Sequence, residues 1–231
     1  MEHEIKKFAA VLCAALVLVA ISIPFASAYT DCMVDRTRTQ QGFSNPTTLP
    51  YIIDRLDEAH NYIWTIFWVH GVADYSYSNS DHDFINHING LDPDTNIVLV
   101  HCHGGTSGSS SYLKFKDGSK LYDNEVNDWL DWGGYFIFAG ACKSAKYTDL
   151  GNAFVNRGFD TFFGYKETVY TKRNGRFYSA FFYKGRYLDT PVSIAANYAE
   201  DKVEEEFGDA SDVGNNRFIG DSSLCLAPSD W

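Results

Sequence analysis

Apolar positions along this chain fall into two kinds of pattern. Two short stretches are apolar almost throughout: Asn96-Ile-Val-Leu-Val-His-Cys-His-Gly-Gly105 and Tyr135-Phe-Ile-Phe-Ala-Gly-Ala-Cys142. Four to six β-branched or aromatic residues bounded by glycine mark a central strand buried on both faces. Elsewhere the apolar residues recur at helical spacing. Ile52, Ile53, Leu56 and Ala59 predict a helix over Tyr51–Ala59. Ser80 is placed to cap a helix over Asp81–Ile88, whose first turn holds Asp81 and Asp83. Further helices are predicted over Asn124–Trp132 (Asn124 as cap), Asp149–Asn156 after Thr148, Asn174–Lys184 and Pro191–Phe207, the last frayed at Glu204-Glu-Glu206. Strands are predicted over Tyr62–Val69, over Phe159–Thr171 with a bend at Gly164, and within Arg217–Leu226. Asp117-Gly118, between Tyr112–Lys116 and Ser119–Tyr122, signals a hairpin. Residues 29–50, Ala73–Ser80 and Thr106–Ser111 are polar and read as irregular, and Asp92–Thr95 as a turn.

Strands alternating with helices imply βαβ units and a mostly parallel sheet covered on both faces. Ligands of open α/β sheets bind at the carboxyl ends of the strands. If the two apolar runs are parallel neighbours, His103 and Cys142 emerge side by side at that edge. A thiol and an imidazole so placed make a nucleophile–base pair. Gly104, Gly105 and Cys142 can present backbone N–H groups to an oxyanion.

The first 28 residues belong to a different class. Lys6 and Lys7 precede an apolar run from Phe8 to Ile23, and Ala26-Ser27-Ala28 is a cleavage signature. A signal peptide over 1–28 and a single domain over 29–231 are expected, with a secreted or cell-surface location. A membrane association would come through an uncleaved anchor. Leu12 before Cys13 argues against lipid attachment at that cysteine. Removing the leader takes Glu2, Glu4, Lys6 and Lys7, so the formal charge stays at -11. With that charge and no basic run, nucleic acid is not an expected partner.

Export changes how the cysteines read. Cys32 and Cys225 lie near the two mature termini, which are often close in space, and a disulfide between them is expected. Cys102 alternates with His101 and His103, so it should point to the opposite face as a buried thiol. Cys142 remains for chemistry. All seven histidines precede it (His3, His60, His70, His82, His87, His101, His103), whereas an α/β-hydrolase needs its histidine after the nucleophile.

The apolar strand VLVHCHG ending at His103-Gly104, followed by FIFAGAC ending at Ala141-Cys142, resembles the cysteine peptidases of the caspase, gingipain, clostripain and legumain group. The hairpin between them, the stretch LGNAFVNRGFDTFFGY and the tail FIGDSSLCL are similar to the group too, with Ser222 where gingipain-type domains carry proline. The likeness covers roughly residues 60–226. It implies a caspase-like three-layer α/β/α sandwich and an endopeptidase acting on protein or peptide through a thioester acyl-enzyme. Cys142 would be the nucleophile, His103 the general acid/base, and the N–H groups of Gly104 and Cys142 the oxyanion hole. No cofactor or metal is implied. Gly140 stands where several of these enzymes carry an acidic residue or Gln that lines the specificity pocket. Gly140 and Tyr165, with Lys166 and Glu167, are the expected pocket residues here. Two other readings follow from the same residues. One is a fold kept as a binding or surface module without activity. The other is a zinc site of His101, His103 and Cys142. The acidic loop Asp74–Asp83 is a place where calcium would be sought.

Overall fold

The two apolar runs pair as parallel neighbours at the centre of a six-stranded sheet. The computed structural model describes residues 30–66, 71–93 and 96–229. The expected leader, the end of the Tyr62–Val69 run with His70, and Asp94–Thr95 of the expected turn lie outside them. The strands are β1 (Thr30–Asp35), β2 (Gly71–Ser76), β3 (Ile97–His101), β4 (His103–Ser107), β5 (Ser110–Lys114), β6 (Lys120–Leu121), β7 (Phe136–Gly140), β8 (Thr161–Tyr165) and β9 (Asn216–Gly220). The helices are α1 (Thr48–Ile66), α2 (Asp81–Asn89), α3 (Asp123–Trp129), α4 (Asp149–Asn156), α5 (Thr171–Gly185) and α6 (Val192–Phe207), with single turns at Thr37–Gln40 and Ser211–Gly214. The main sheet runs β2-β1-β3-β7-β8-β9, parallel except for antiparallel β9. β4, β5 and β6 form a separate antiparallel sheet.

The strand period of two splits each apolar run between two cores. Ile97, Leu99, Phe136, Phe138, Phe163 and Tyr165 pack with α1, α5 and α6. Val98, Val100, Ile137, Ala139 and Phe162 pack with α2, α3 and α4. The first core is strongly aromatic. Phe138 stacks on Phe163 at 4.4 Å, and Phe136 on Phe181 at 5.6 Å. This is an α/β/α sandwich with a mostly parallel sheet, as the alternation of elements implied.

Several local expectations are corrected. Residues 29–50 are not a wholly irregular lead-in: β1 lies there, the second strand of the sheet, with Cys32, Met33 and Val34 buried. Its carboxyl end is Asp35, a fully buried carboxylate that accepts from the Thr37 and Ser78 N–H groups and the Ser78 hydroxyl. The expected strand over Tyr62–Val69 is helical through Ile66, because Ile52, Leu56, Ala59 and Ile63 form one buried stripe while Trp64 is 49% exposed. The edge strand is β2, which overlaps the segment read as a loop over Ala73–Ser80. Thr106–Ser111 is not loose but spans the β4–β5 hairpin. The predicted α2 has its full capping box of Ser80 and Asp83. Tyr122, not Asn124, precedes α3, and the Glu125 carboxylate accepts the Tyr122 N–H. α6 ends on Gly208 at φ +73°, a left-handed cap rather than a frayed end.

No Cys32–Cys225 disulfide forms. Cys32 is packed into the first core at 1% exposure. The Cys225 backbone is tied to Pro191 in a bridge and accepts from the Tyr135 hydroxyl at 2.6 Å. Among the described residues no helix is long and apolar enough to cross a membrane.

Candidate active site

Parallel strands deliver all their carboxyl ends to one edge of the sheet. His101 of β3 stands directly opposite Gly140 of β7. Two residues further on, His103 and Cys142 are therefore equal distances past the paired edge. Asp35 of β1 is opposite Val100, and Ala139 opposite Gly164 of β8, so the chain after β1 and after β8 enters the same region. The chain runs from β1 to β2 on one side, and from β2 back across β1 to β3 on the other. The crevice between β1 and β3 is thus the switch point of the sheet.

After β7 the backbone turns sharply. Lys143 adopts φ +57°, a left-handed conformation that a side-chain-bearing residue takes at a cost. The turn is pinned to the chain leaving β8. The Lys143 N–H donates to the Glu167 carbonyl at 3.0 Å and the Ala145 N–H to the Tyr165 carbonyl at 2.9 Å. Buried Ser144 adds a side-chain tie, its hydroxyl donating to the Ala139 carbonyl at 2.9 Å and accepting from the Tyr165 N–H at 3.1 Å. Cys142 itself is half-buried. Its sulfur accepts from the Val169 N–H at 3.4 Å and lies 3.5 Å from the Val169 carbonyl.

After β3 the chain passes from buried His101 and Cys102 into exposed His103, the first residue of β4. Gly104 then crosses directly beneath the Cys142 turn. A Cβ added to Gly104 would fall 2.4 Å from the Cys142 carbonyl oxygen and 2.9 Å from the Ala141 Cβ. Only glycine allows the two backbones to approach so closely. The two-residue turn Gly108-Ser109, with Gly108 at φ +58°, makes Ser107 and Ser110 the hydrogen-bonded closing pair. Alternation along the ladder then leaves Gly104 in a wide pair, with its N–H turned away from β5.

The two histidines of the run have different surroundings. His101 is fully enclosed, edge-on to Tyr178 at 5.5 Å, and burial pushes its pKa down to about 3. His103 is also lowered, first by partial burial and then by the positive charges of Arg38 and Lys114, which favours its neutral form. Burial, with Asp35 nearby, pushes the Cys102 thiol up. His103 and Cys142 do not hydrogen-bond to each other in this structure. His101, His103 and Cys142 do not assemble a metal site, and neither does the Asp74–Asp83 segment. No group of three His, Cys, Asp or Glu among the described residues is arranged to hold an ion. Asp81 and Asp83 of that segment are in the first turn of α2, where Asp83 closes the capping box.

The expected pocket residues are corrected. Tyr165 is fully buried, its hydroxyl donating to Asn174 Oδ1 at 2.9 Å. Gly140 is buried beneath the same side chain, its carbonyl accepting from Asn174 Nδ2 at 2.9 Å. Both support the floor of the site and neither lines its mouth. Lys166 donates its N–H to the Asn215 carbonyl, and Glu167 pairs with Lys146 at 2.9 Å. What the sequence did not disclose is Arg38, just beyond β1 and within electrostatic range of Cys142, Cys102 and His103. Nothing local marks it, because only the strand order brings it to the crevice.

The architecture is a caspase-like α/β/α fold, which the chain shares with solved structures of a cysteine proteinase. The chain aligns with the Arg-specific cysteine proteinase gingipain R at TM-score 0.57 and 11% identity, over 88% of this chain and 49% of that one. It aligns with the complex of the pro- and mature domains of RgpB from Porphyromonas gingivalis at TM-score 0.55 and 12% identity, over 86% and 48%. The chain thus spans about half the length of these structures. No family model matches it. The chain belongs to one family with an uncharacterized protein of Archaeoglobus fulgidus, to which it is 65% identical over 192 residues, covering 81% of this chain and all of that protein.

Proposed function

We propose that this protein is an exported cysteine endopeptidase in which Cys142 is the nucleophile and His103 the general acid/base. The observation that carries the reading is the pairing of His101 with Gly140, which sends His103 and Cys142 equally far past neighbouring strand ends, with Gly104 packed against the Cys142 backbone.

The steps follow from those positions. Neutral His103 accepts the thiol proton as Cys142 Sγ bonds to the scissile carbonyl carbon. The oxyanion so formed is held by the N–H groups of Cys142 and Gly104. The carbon–nitrogen bond then breaks, and His103 gives its proton to the leaving amine. A thioester remains. Water, deprotonated by His103, attacks it, the carbon–sulfur bond breaks, and the thiol regains its proton. The leader over 1–28 would export the enzyme.

One observation favours a second reading, a binding module without activity: the Cys142 sulfur is engaged by the Val169 backbone and not by His103. Alkylation by iodoacetamide at neutral pH, with the labelled peptides mapped, separates the two. Rapid labelling of Cys142 that slows strongly in His103→Ala supports the peptidase. Labelling no faster than that of an ordinary exposed cysteine supports the module.

A further inference from the structure

We infer that the end of the sandwich opposite Cys142 is a membrane-docking face, which rests on a bilayer surface carrying anionic headgroups and turns the candidate site away from it. The inference does not depend on the peptidase reading.

The sheet fixes the geometry. α5 starts at the carboxyl edge, where Asn174 meets the Gly140 carbonyl. It ends at the amino edge, where Phe181 and Phe182 pack on Phe136, the first residue of β7. Tyr183–Leu188 follow directly, at that same end. α1 runs alongside α5: Ile52 lies against Gly175, and Tyr62 meets Tyr183 at 5.3 Å. β1 also begins at the amino edge, with Thr30 opposite Gly71 of β2. The chain before Thr30, which carries the apolar run Phe8–Ile23, therefore joins the domain here.

Three kinds of side chain gather at this end. Leu188 is 68% exposed and Ile194 47%, and no other Leu or Ile among the described residues is exposed. Ile194 and Tyr198 share one face of α6 at i, i+4. Tyr183 stacks on Tyr198 at 6.0 Å and lies edge-on to Tyr187 at 5.6 Å, whose hydroxyl donates to its own at 2.9 Å. The Arg186 guanidinium sits over the Tyr183 and Tyr62 rings at 4.7 and 4.9 Å, and the Lys184 ammonium over Tyr187 at 5.5 Å. No carboxylate among the described residues pairs with Lys184 or Arg186. Lys202, over Tyr198, is paired with Glu205.

Exposed aliphatic side chains enter the acyl boundary, tyrosines hold at headgroup level, and basic side chains reach anionic lipid. A protein partner would leave unexplained why an apolar run long enough to enter a bilayer joins the domain at this end. The net charge of -11 does not oppose the contact. Screening within about 8 Å at physiological salt lets the lipid surface feel the cations at the face and little of the acids elsewhere. Docked in this way, Cys142 and His103 stand at the far edge of the sheet, open to substrate in solution.

The test uses the chain from Tyr29, which holds every described element, and sedimentation with vesicles. One set is phosphatidylcholine alone and the other phosphatidylcholine and phosphatidylglycerol in equal amounts. The chain should partition onto the mixed vesicles and come off as salt is added. Lys184→Gln with Arg186→Gln should weaken that partitioning by about tenfold or more. Leu188→Ser with Ile194→Ser should weaken it by a similar factor, with an unchanged melting temperature because both side chains are exposed. Lys116→Gln with Lys120→Gln removes the same charge from the hairpin and should leave partitioning within about twofold. No partitioning at low salt overturns the inference, as does equal loss in the hairpin variant, which would make the attraction one of net charge. A dimer in solution that Leu188→Ser with Ile194→Ser dissolves overturns it too, since the face would then join two copies of the chain. None of these outcomes bears on whether Cys142 is a nucleophile, which alkylation decides.

Discussion

Cys102 and Cys142 leave neighbouring strands at the same edge of one sheet, yet the fold treats them in opposite ways. Cys102 is one residue past the end of β3 and faces the α2–α4 core, 4% exposed, with its thiol pushed up by burial. Cys142 is two past the end of β7, half-buried, and rests against the α1–α5 side. The histidines repeat the contrast: His101, within the strand, is sealed under Tyr178, and His103, two further on, is open. Residue type does not separate the pair proposed for catalysis from the buried one. Distance past the strand end and the parity of the pleat do.

The largest test of that contrast removes each sulfur in turn. Cys142→Ala should lower peptide hydrolysis by about 10³-fold or more, because no other group can form the thioester. Cys102→Ala should leave kcat/KM within about twofold and cost about 1 kcal/mol of stability in urea unfolding, as expected for a small truncation in a packed core. Loss of activity in Cys102→Ala with Cys142 intact would reverse the assignment of the two thiols.

The histidines come next. His103→Ala should reduce kcat by about 10²- to 10⁴-fold, the usual worth of a general acid/base, and slow Cys142 alkylation with it. His101→Ala should leave the alkylation rate near that of the wild type and instead cost about 2–4 kcal/mol, since it opens a cavity against Tyr178. If both variants slow alkylation equally, the two histidines act as one unit.

Protonation should divide them again, on a smaller scale. His101 is held at about 3 in the fold, against 6.5 for an ordinary histidine, so the unfolded chain binds more protons between those values. Stability should therefore fall as the pH drops below about 6.5, by at most about 1.4 kcal/mol per pH unit from this residue. His101→Phe, which keeps a ring against Tyr178, should remove that share of the acid sensitivity in urea midpoints taken at pH 7 and pH 5. His103 is lowered by partial burial first and by Arg38 second. The acid limb of kcat/KM should lie below pH 6.5, and Arg38→Ala should move it upward.

The readable part of this site was what continuous apolar runs announce. β3 and β7 are buried on both faces, so their residues need no polar alternation, and the two side chains proposed for catalysis stand where the apolar run stops. The α2 cap was equally legible because its capping box is local. β1 and β2 were not. Three buried residues between Asp31 and Asp35 carry little periodicity, and the acid that ends β1 is tolerated because Ser76 and Ser78, 41 and 43 residues on, and Thr37, two residues on, satisfy it. β2 is an edge strand of polar character. Losing β1 also hid Arg38, since its role depends on which strand lies beside β3. The surroundings of Gly140 and Tyr165 are hidden for a related reason. They do sit at strand ends, but Asn174 of α5 roofs them and fills its hydrogen bonds with theirs.

The smallest expected effect concerns the turn that lifts Cys142 clear of the sheet. Lys143 at φ +57° carries a strain of about 1 kcal/mol that glycine would not. Lys143→Gly should therefore stabilise the fold, but by less than that amount, because glycine also gains freedom in the unfolded chain. The melting temperature should rise by about 2 °C or less for a chain of this size. The same change loosens the turn that follows Cys142, whose N–H is one of the two proposed oxyanion donors, so kcat should fall while KM stays near its wild-type value. A stability gain joined to a loss in kcat would identify the turn as strain held for catalysis. A gain with kcat unchanged would mean that the hydrogen bonds from Lys143 and Ala145 to the chain after β8 position Cys142 without help from the left-handed residue between them.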